Sequence, residues 1–234
     1  MRIVFKPKTK LEKFGNKVLN LLVDNFPQSF FVGGTVRDLI LEKKITDIDI
    51  ATSAKPKQVM EILEASGIKY SFEHQNFGVV AAKQGSLNIE ITTFRIENYK
   101  HNRYPKIKFT NSVLKDSQRR DFTINSLYFK PNFNIIDYHR GIRDIDNKTI
   151  RFIGIPSVRI KQDSLRIIRA LRFSAGLNFQ IETKSLNAIK QNFNLIDKLT
   201  QSKLKFELAK IKNKLVYKKI LKILNNKNLL DKYF

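Results

Sequence analysis

Apolar and polar positions change their rhythm about two thirds of the way along the chain. Up to about residue 150, short β-forming runs (SFFV at 29–32, ITDIDIAT at 45–52, FGVVAAK at 77–83, LNIEITTF at 87–94) alternate with stretches of helical period. Such alternation predicts a mixed α/β or α+β unit. From about residue 157 the apolar side chains recur at three and four positions instead, as in Leu165, Ile168 and Leu171 and again in Leu204, Leu208, Ile211 and Leu215. That is the spacing of packed helices, and no strand pattern survives there. In KPKQVMEILEASG, Pro56 stands where a first turn would begin and Gly67 where the helix would end, so a helix follows the ITDIDIAT strand directly. The polar stretch NYKHNRYPKIKFTNSVLKDSQRR (98–120) has little periodicity and predicts a long mobile loop with one short strand inside it.

Composition narrows the class. The chain has 234 residues, 42% of them hydrophobic, which is enough for a proper core. It has no cysteine, so disulfides and thiolate metal sites are excluded. The N-terminal MRIVFKPKTKLEKFGNK lacks the apolar core of a signal peptide, and no run approaches the roughly 20 apolar residues that span a bilayer. A soluble, cytoplasmic protein without a membrane role is the expectation. Forty-four Lys and Arg against twenty-one acids give a formal charge of +23, which points to a polyanion such as nucleic acid, although biased codon usage produces similar compositions. The tail from Thr183 concentrates thirteen lysines against three acids, interleaved with Leu, Ile, Phe and Tyr at helical spacing.

Chemistry is concentrated in a few places. Asp47 and Asp49, one residue apart in ITDIDIAT, would share one face of a strand while Ile48 and Ile50 take the other. Two carboxylates this close raise each other's pKa unless a cation lies between them, and a hard divalent metal is the usual one. A polar edge strand facing water is the competing explanation. Just upstream, SFFVGGTVRDLILEKK reads as a strand broken at Gly33 and Gly34 that turns into a helix near Thr35. Paired glycines let a backbone approach a ligand, free amides at a helix start attract phosphate, and Arg37 adds a fixed charge. Taken alone, the glycines equally suit a tight turn.

The conjunction is more specific. GGTVRD followed ten residues after its arginine by DIDIAT resembles the nucleotidyltransferase superfamily, and in particular the class II tRNA nucleotidyltransferases (CCA-adding enzymes) and the bacterial poly(A) polymerases that share their head domain. RRDFTINSLYF (119–129) resembles the family's RRDFTINA segment, which implies that Arg120 binds triphosphate. IIDYHRGIRDID matches a D-x-x-x-G-x-x-D segment through Asp137, Gly141 and Asp144, which in the family joins head to neck. DSLRIIRALRF resembles the E-D-x-x-R helix, so the resemblance assigns base reading to Asp163 and Arg166, with Arg169 and Arg172 as further nucleotide contacts. Residues three apart on a helix share a face, so Asp163 and Arg166 would present an acceptor beside a forked donor. The family glutamate before the aspartate is Gln162 here. A third carboxylate is expected on a neighbouring strand, and Glu90, between Ile89 and Ile91, is the best candidate beside the alternative of an edge-strand glutamate facing water. His74, His101 and His139 show no metal-ligand spacing, while His101 and Arg103 fall in the loop that helps the family switch from C to A.

The resemblance spans roughly residues 28–180 and implies a polymerase-β-like α+β head with a mixed sheet over 1–150. A helical neck that reads the base would follow over 151–196, then a short basic helical body over 197–234. Family members usually continue well beyond this length. The implied activity is template-independent addition of C, A or both to the 3′ end of tRNA from CTP and ATP, with release of pyrophosphate. Asp47 and Asp49 would hold two Mg²⁺ ions, and Gly33, Gly34, Arg37 and Arg120 would hold the triphosphate. A bacterial poly(A) polymerase is the nearest rival. A catalytically silent RNA-binding protein also suits the charge, but has no use for paired carboxylates facing phosphate.

Overall fold

The computed structural model describes residues 4–74, 77–99 and 105–211, together with 215, 218, 219 and 222. Their fold has two compact units. The first comprises the described residues of Met1–Asn98, Pro105–Arg120 and Ile124–Ile142, and the second those of Tyr99–Tyr104, Asp121–Thr123 and Arg143–Phe234.

The first unit is built on a mixed seven-stranded sheet. Its strands are β1 (Ser29–Val32), β2 (Ile48–Thr52), β3 (Lys69–His74), β4 (Val79–Gln84), β5 (Leu87–Thr93), β8 (Leu127–Phe129) and β9 (Ile136–Asp137), in the order β3-β4-β5-β2-β1-β8-β9. Only β2 and β5 run parallel; every other neighbouring pair is antiparallel. Strands β1 and β8 are buried along their whole length, as expected of near-continuous apolar runs covered on both faces. Helices α1 (Lys10–Asn25) and α3 (Pro56–Ala65) pack on the sheet. Helix α1 opens with a capping box in which Thr9 and Glu12 each accept the other's backbone N–H. It buries Phe14, Val18, Leu19 and Leu22. A Cβ on Gly15 would meet Ile48 Cδ1 at 2.6 Å, so this mid-helix glycine, at some cost in helix propensity, brings α1 close onto β2.

That contact fixes which side of β2 is which. Ile48 and Ile50 turn toward α1, and Asp49 is left on the opposite face with Ala51. On this second face Phe30, Val32, Ala51, Phe94, Val113 and Tyr128 form an apolar cluster. In the segment expected to be a loop with one short strand inside it, the described residues carry a strand and, beyond the expectation, a helix. Strand β6 (Arg95–Asn98) pairs antiparallel with β7 (Lys106–Phe109), and helix α4 (Val113–Arg119) follows. Its N-cap, Ser112, accepts from the Lys115 N–H at 3.3 Å, and its polar appearance in sequence reflects a buried ion network described below. His101 and Arg103 lie outside the described residues.

The second unit is helical: α5 (Gly141–Asp146), which begins in the first unit, then α6 (Pro156–Gln162), α7 (Leu165–Leu177), α8 (Thr183–Gln191) and α9 (Gln201–Ala209), with a 3-10 turn at Phe193–Lys198. A two-residue parallel bridge, β10 (Thr149–Ile150) with β11 (Gln180–Ile181), and an isolated antiparallel bridge between Phe122 and Phe152 depart from the helical expectation. The D-x-x-x-G-x-x-D segment spans the junction. Asp137 accepts from the N–H groups of Gly141 at 2.8 Å and Ile142 at 3.0 Å, and so caps α5. Buried Asp144 accepts from Thr123 Oγ1 at 2.6 Å and from Arg151 Nε at 3.0 Å. No helix among the described residues is long and apolar enough to cross a membrane.

Candidate active site

The register of the first unit gathers its carboxylates. Asp49 of β2 stands directly opposite Glu90 of β5, so two like charges occupy adjacent positions on one face. Asp47 differs from its expected place. Strand β2 begins at Ile48, so Asp47 lies in the exposed link before it and is not part of the ladder. Thr35 ties this link to α2 (Gly34–Ile40), donating to the Asp47 carbonyl at 3.4 Å and accepting from the Asp49 N–H at 2.9 Å. Burial, then Glu90 and Asp47, push the Asp49 carboxyl up to about 6 against the opposing pull of Arg120 and Arg37. Among the described residues no three His, Asp or Glu side chains are gathered as a ready metal-ligand set. The donors present are hard carboxylate oxygens whose mutual repulsion a divalent cation would relieve, which is chemistry that fits Mg²⁺.

Gly33 carries the chain past this carboxylate. Its φ of 68° and ψ of −131° belong to a region open essentially to glycine. A Cβ there would lie 3.4 Å from Asp49 Oδ2 and 4.0 Å from Arg120 Nη1. Gly34 follows with Arg37 over it, since its own Cβ would stand 3.4 Å from Arg37 Nη2. Arg37 is nearly buried and donates to both Asp38 oxygens at 2.9 Å and to Asn125 Oδ1 at 2.8 Å.

Arg120 is anchored from behind. Its Nε donates to Tyr128 Oη at 2.8 Å and its Nη2 to Asp116 Oδ2 at 3.0 Å, while Tyr128 Oη donates to the same Asp116 oxygen at 2.7 Å. Asp116 Oδ1 accepts from Arg119 Nε at 2.8 Å and from the Arg95 backbone N–H at 3.1 Å. Burial alone would raise this carboxyl, but Arg119, Arg120 and the Tyr128 hydroxyl outweigh it and hold Asp116 well below the usual carboxylate range.

In the second unit, helix α7 begins at Leu165, so Asp163 is not on its face. It occupies the link after α6 in extended conformation, and its Oδ1 accepts from the Leu165 N–H at 3.2 Å. Asp163 and Arg166 are therefore not the i,i+3 pair on one helix that their spacing predicts. Arg166 is 5% exposed and donates through Nη1 to the Arg159 carbonyl at 2.7 Å and to Gln162 Oε1 at 3.4 Å. Gln162 Oε1 also accepts from Arg159 Nη1 at 2.7 Å, so the amide that replaces the family glutamate is shared by two arginines. Arg169 donates to Asp121 Oδ2 through Nε at 2.8 Å, and Arg172 Nε lies 3.0 Å from Glu207 Oε2. Glu207 of α9 also faces Arg169 at 3.5 Å and Lys210 at 3.1 Å.

The arrangement is a strand-borne carboxylate pair, a glycine turn and an anchored arginine on one sheet face, followed by an arginine-lined helix. Residues 29–151, just over half of the chain, match the family described as Poly A polymerase head domain. The chain belongs to this family. Among curated relatives of this Poly A polymerase head domain chain, the CCA-adding enzyme of Staphylococcus epidermidis is 40% identical over 186 residues, covering 79% of this chain and 46% of that protein. The CCA-adding enzyme of Lactobacillus helveticus is 39% identical over 196 residues, covering 83% of this chain and 48% of that one. The chain thus spans about half the length of the curated relatives it matches. Among solved structures, the Bacillus stearothermophilus CCA-adding enzyme in complex with CTP superposes with a TM-score of 0.77 at 31% identity, over 87% of this chain and 49% of that one. A tRNA nucleotidyltransferase complexed with a primer tRNA and an incoming ATP analog gives 0.74 at 26% identity, over 94% and 62%. The mixed sheet followed by helices is the expected head and helical arrangement.

Several residues around the family motifs were not legible as site residues. Asp116 precedes two arginines at i+3 and i+4, a spacing that signals helical ion pairing and could have drawn attention to it. Asp121 lies inside RRDFTIN itself. Asn125 and Tyr128 lie in the same RRDFTINSLYF segment and Thr35 and Asp38 in GGTVRD, whereas Glu207 gives no comparable local signal.

Proposed function

We propose that this chain transfers nucleotides, without a template, to the 3′ end of tRNA, taking C and A from CTP and ATP and releasing pyrophosphate. One observation carries the reading: Asp49 is paired in register with Glu90 while its carboxylate oxygen lies beside the Gly33 turn and Arg120. A polyphosphate and an attacking hydroxyl both need such a face, where negative charge can be neutralised on one side and held by a guanidinium on the other. Asp47 and Asp49, with Glu90 as the third carboxylate, would hold Mg²⁺ there. The bound metal would supply Lewis-acid polarisation of the α-phosphate and a lowered pKa for the attacking 3′-hydroxyl. Arg120 and Arg37, together with the backbone at Gly33 and Gly34, would orient the triphosphate. Such positioning is most of what the protein contributes to this class of reaction.

Base reading falls to Asp163 and Arg166, with Arg169 and Arg172 nearby on α7. The pinned geometry of Arg166 supports a fixed donor fork for the edge of the incoming base. Arg169 and Arg172 are held by Asp121 and Glu207, so their contribution is as much to the rigidity of the helix as to the nucleotide. The mixed head extends through residue 150, helices of 151–196 act as neck, and the basic segment of 197–234 meets RNA. The setting is cytoplasmic.

The family description favours one second reading, a poly(A) polymerase that uses the same head. Both are tested by incubating the chain with a tRNA transcript ending before CCA, with CTP alone, ATP alone and both. The proposed function predicts a product that stops after three additions when both nucleotides are present. A long tail from ATP alone is the poly(A) outcome, and no incorporation is the outcome of a binding protein.

A further inference from the structure

The triphosphate-facing arginine is not free to choose its own position. Arg120 is gripped at two nitrogens by two different groups, and those groups also grip each other. Tyr128 Oη accepts from Arg120 Nε at 2.8 Å and donates to Asp116 Oδ2 at 2.7 Å, and Asp116 Oδ2 accepts from Arg120 Nη2 at 3.0 Å. Three residues therefore form a closed ring of hydrogen bonds. The ring of Tyr128 also lies under the guanidinium, 5.1 Å from Cζ. The ring is rigid because its base is rigid. Asp116 and Tyr128 are both fully buried, and Tyr128 packs edge-on against Phe30 and Phe94. The second Asp116 oxygen is held by Arg119 and the Arg95 backbone.

The sheet register explains why this ring serves the carboxylate face. Tyr128 is the direct cross-strand partner of Val32. One step beyond the Phe31–Ile50 pair, the antiparallel register brings Val32 beside Asp49, whose own partner is Glu90. Tyr128, Val32, Asp49 and Glu90 thus form one row across four strands on one face. An arginine fixed on the Tyr128 hydroxyl lies along that row, with Arg120 Nη1 4.0 Å from the Cβ position of Gly33.

We propose that Asp116 and Tyr128 are positioning residues that set the Arg120 guanidinium for the β- and γ-phosphates of the incoming nucleotide. The proposal rests on the nucleotidyltransferase reading above and deepens it. Their part is geometric: Asp116 neutralises the buried side of the cation, and Tyr128 fixes its rotation, so that the outer edge meets phosphate without reorganisation.

Tyr128→Phe removes one hydroxyl and keeps the aromatic packing, and Asp116→Asn keeps the shape while removing the charge. The chain is titrated by calorimetry with CTP and with CMP, and KM and kcat for CTP are measured on the tRNA transcript. A merely structural role would weaken CTP and CMP alike. The positioning role predicts that Tyr128→Phe loses about ten-fold in CTP affinity, the scale of one hydrogen bond to a charged group, with CMP affinity within two-fold. KM for CTP should rise by a similar factor while kcat changes less, and Asp116→Asn should show the same CTP-selective loss to a greater extent. Equal losses for CTP and CMP, or unchanged CTP affinity in both folded variants, overturn the positioning role alone. A wild-type chain that neither binds CTP nor incorporates it overturns the functional reading, and this proposal with it.

Discussion

Replacing Asp49 by Asn should make the metal-free protein more stable at neutral pH. Burial and the neighbouring Glu90 and Asp47 raise the Asp49 carboxyl from an ordinary 3.8 to about 6. Between those values the folded chain holds a proton that the unfolded chain has released, so stability falls as pH rises through the interval and stays reduced above it. Worked from that difference, the gap in unfolding free energy between Asp49→Asn and wild type should grow from about 0.5 kcal/mol at pH 4 to about 3 kcal/mol at pH 8. Urea unfolding of both proteins in EDTA at several pH values reads the effect. Mg²⁺ should then raise the stability of the wild type and leave the variant nearly unchanged, since a ligand stabilises only the state that binds it. A gap that does not widen with pH, or a variant less stable than wild type at pH 8, would refute the reasoning that the carboxylate face is held under electrostatic strain.

Two further outcomes follow from the second unit, and one from its acid sensitivity. Glu207→Ala leaves Arg169, Arg172 and Lys210 facing a vacated carboxylate position, and should cost roughly 3 kcal/mol in urea unfolding, the scale of breaking a buried ion pair. Arg166→Ala should reduce the preference for CTP and ATP over UTP and GTP more than it reduces tRNA affinity; unchanged preference among the four nucleotides would move base reading elsewhere. Asp121, held down at about 2 against burial by its Arg169 pairing, contributes stability that is present above 3.8 and lost as pH falls toward 2. Asp121→Asn should therefore remove roughly 2 kcal/mol at pH 6 and close to none at pH 2, a difference read by unfolding at the two values.

How far the sequence alone could reach depended on whether a feature was local. The strand runs at 29–32 and 87–94 and the helix with Pro56 at its start are local, and each lies where the pattern places it. The alternation of Ile89, Glu90 and Ile91 correctly sent the glutamate to the face opposite the two buried isoleucines. What it could not show was partnership: the Asp49–Glu90 pairing arises from a parallel register between strands separated by α3, β3 and β4. Asp47 and Asp163 differ from their expected places for a shared reason: each stands just before an element, and the boundaries at Ile48 and Leu165 fall one or two residues later than the pattern predicts. The segment 98–120 looked like a loop because its polar residues include buried ions: Asp116 and Arg119 pair within helix α4, where polarity normally signals solvent. Glu207 escaped altogether because Arg169 and Arg172 are brought close to it only by folding, while the i,i+3 and i,i+4 arginines of Asp116 were a local signal.

The carboxylate face is tested most directly by labelled CTP incorporation into a tRNA transcript ending before CCA, in Mg²⁺, by wild type and by the Asp47→Ala and Asp49→Ala variants, with tRNA affinity measured on the same samples. Wild type should incorporate and both variants should lose incorporation, with tRNA affinity kept within a few-fold. Incorporation by either variant at a rate comparable to wild type would contradict the role given to this face.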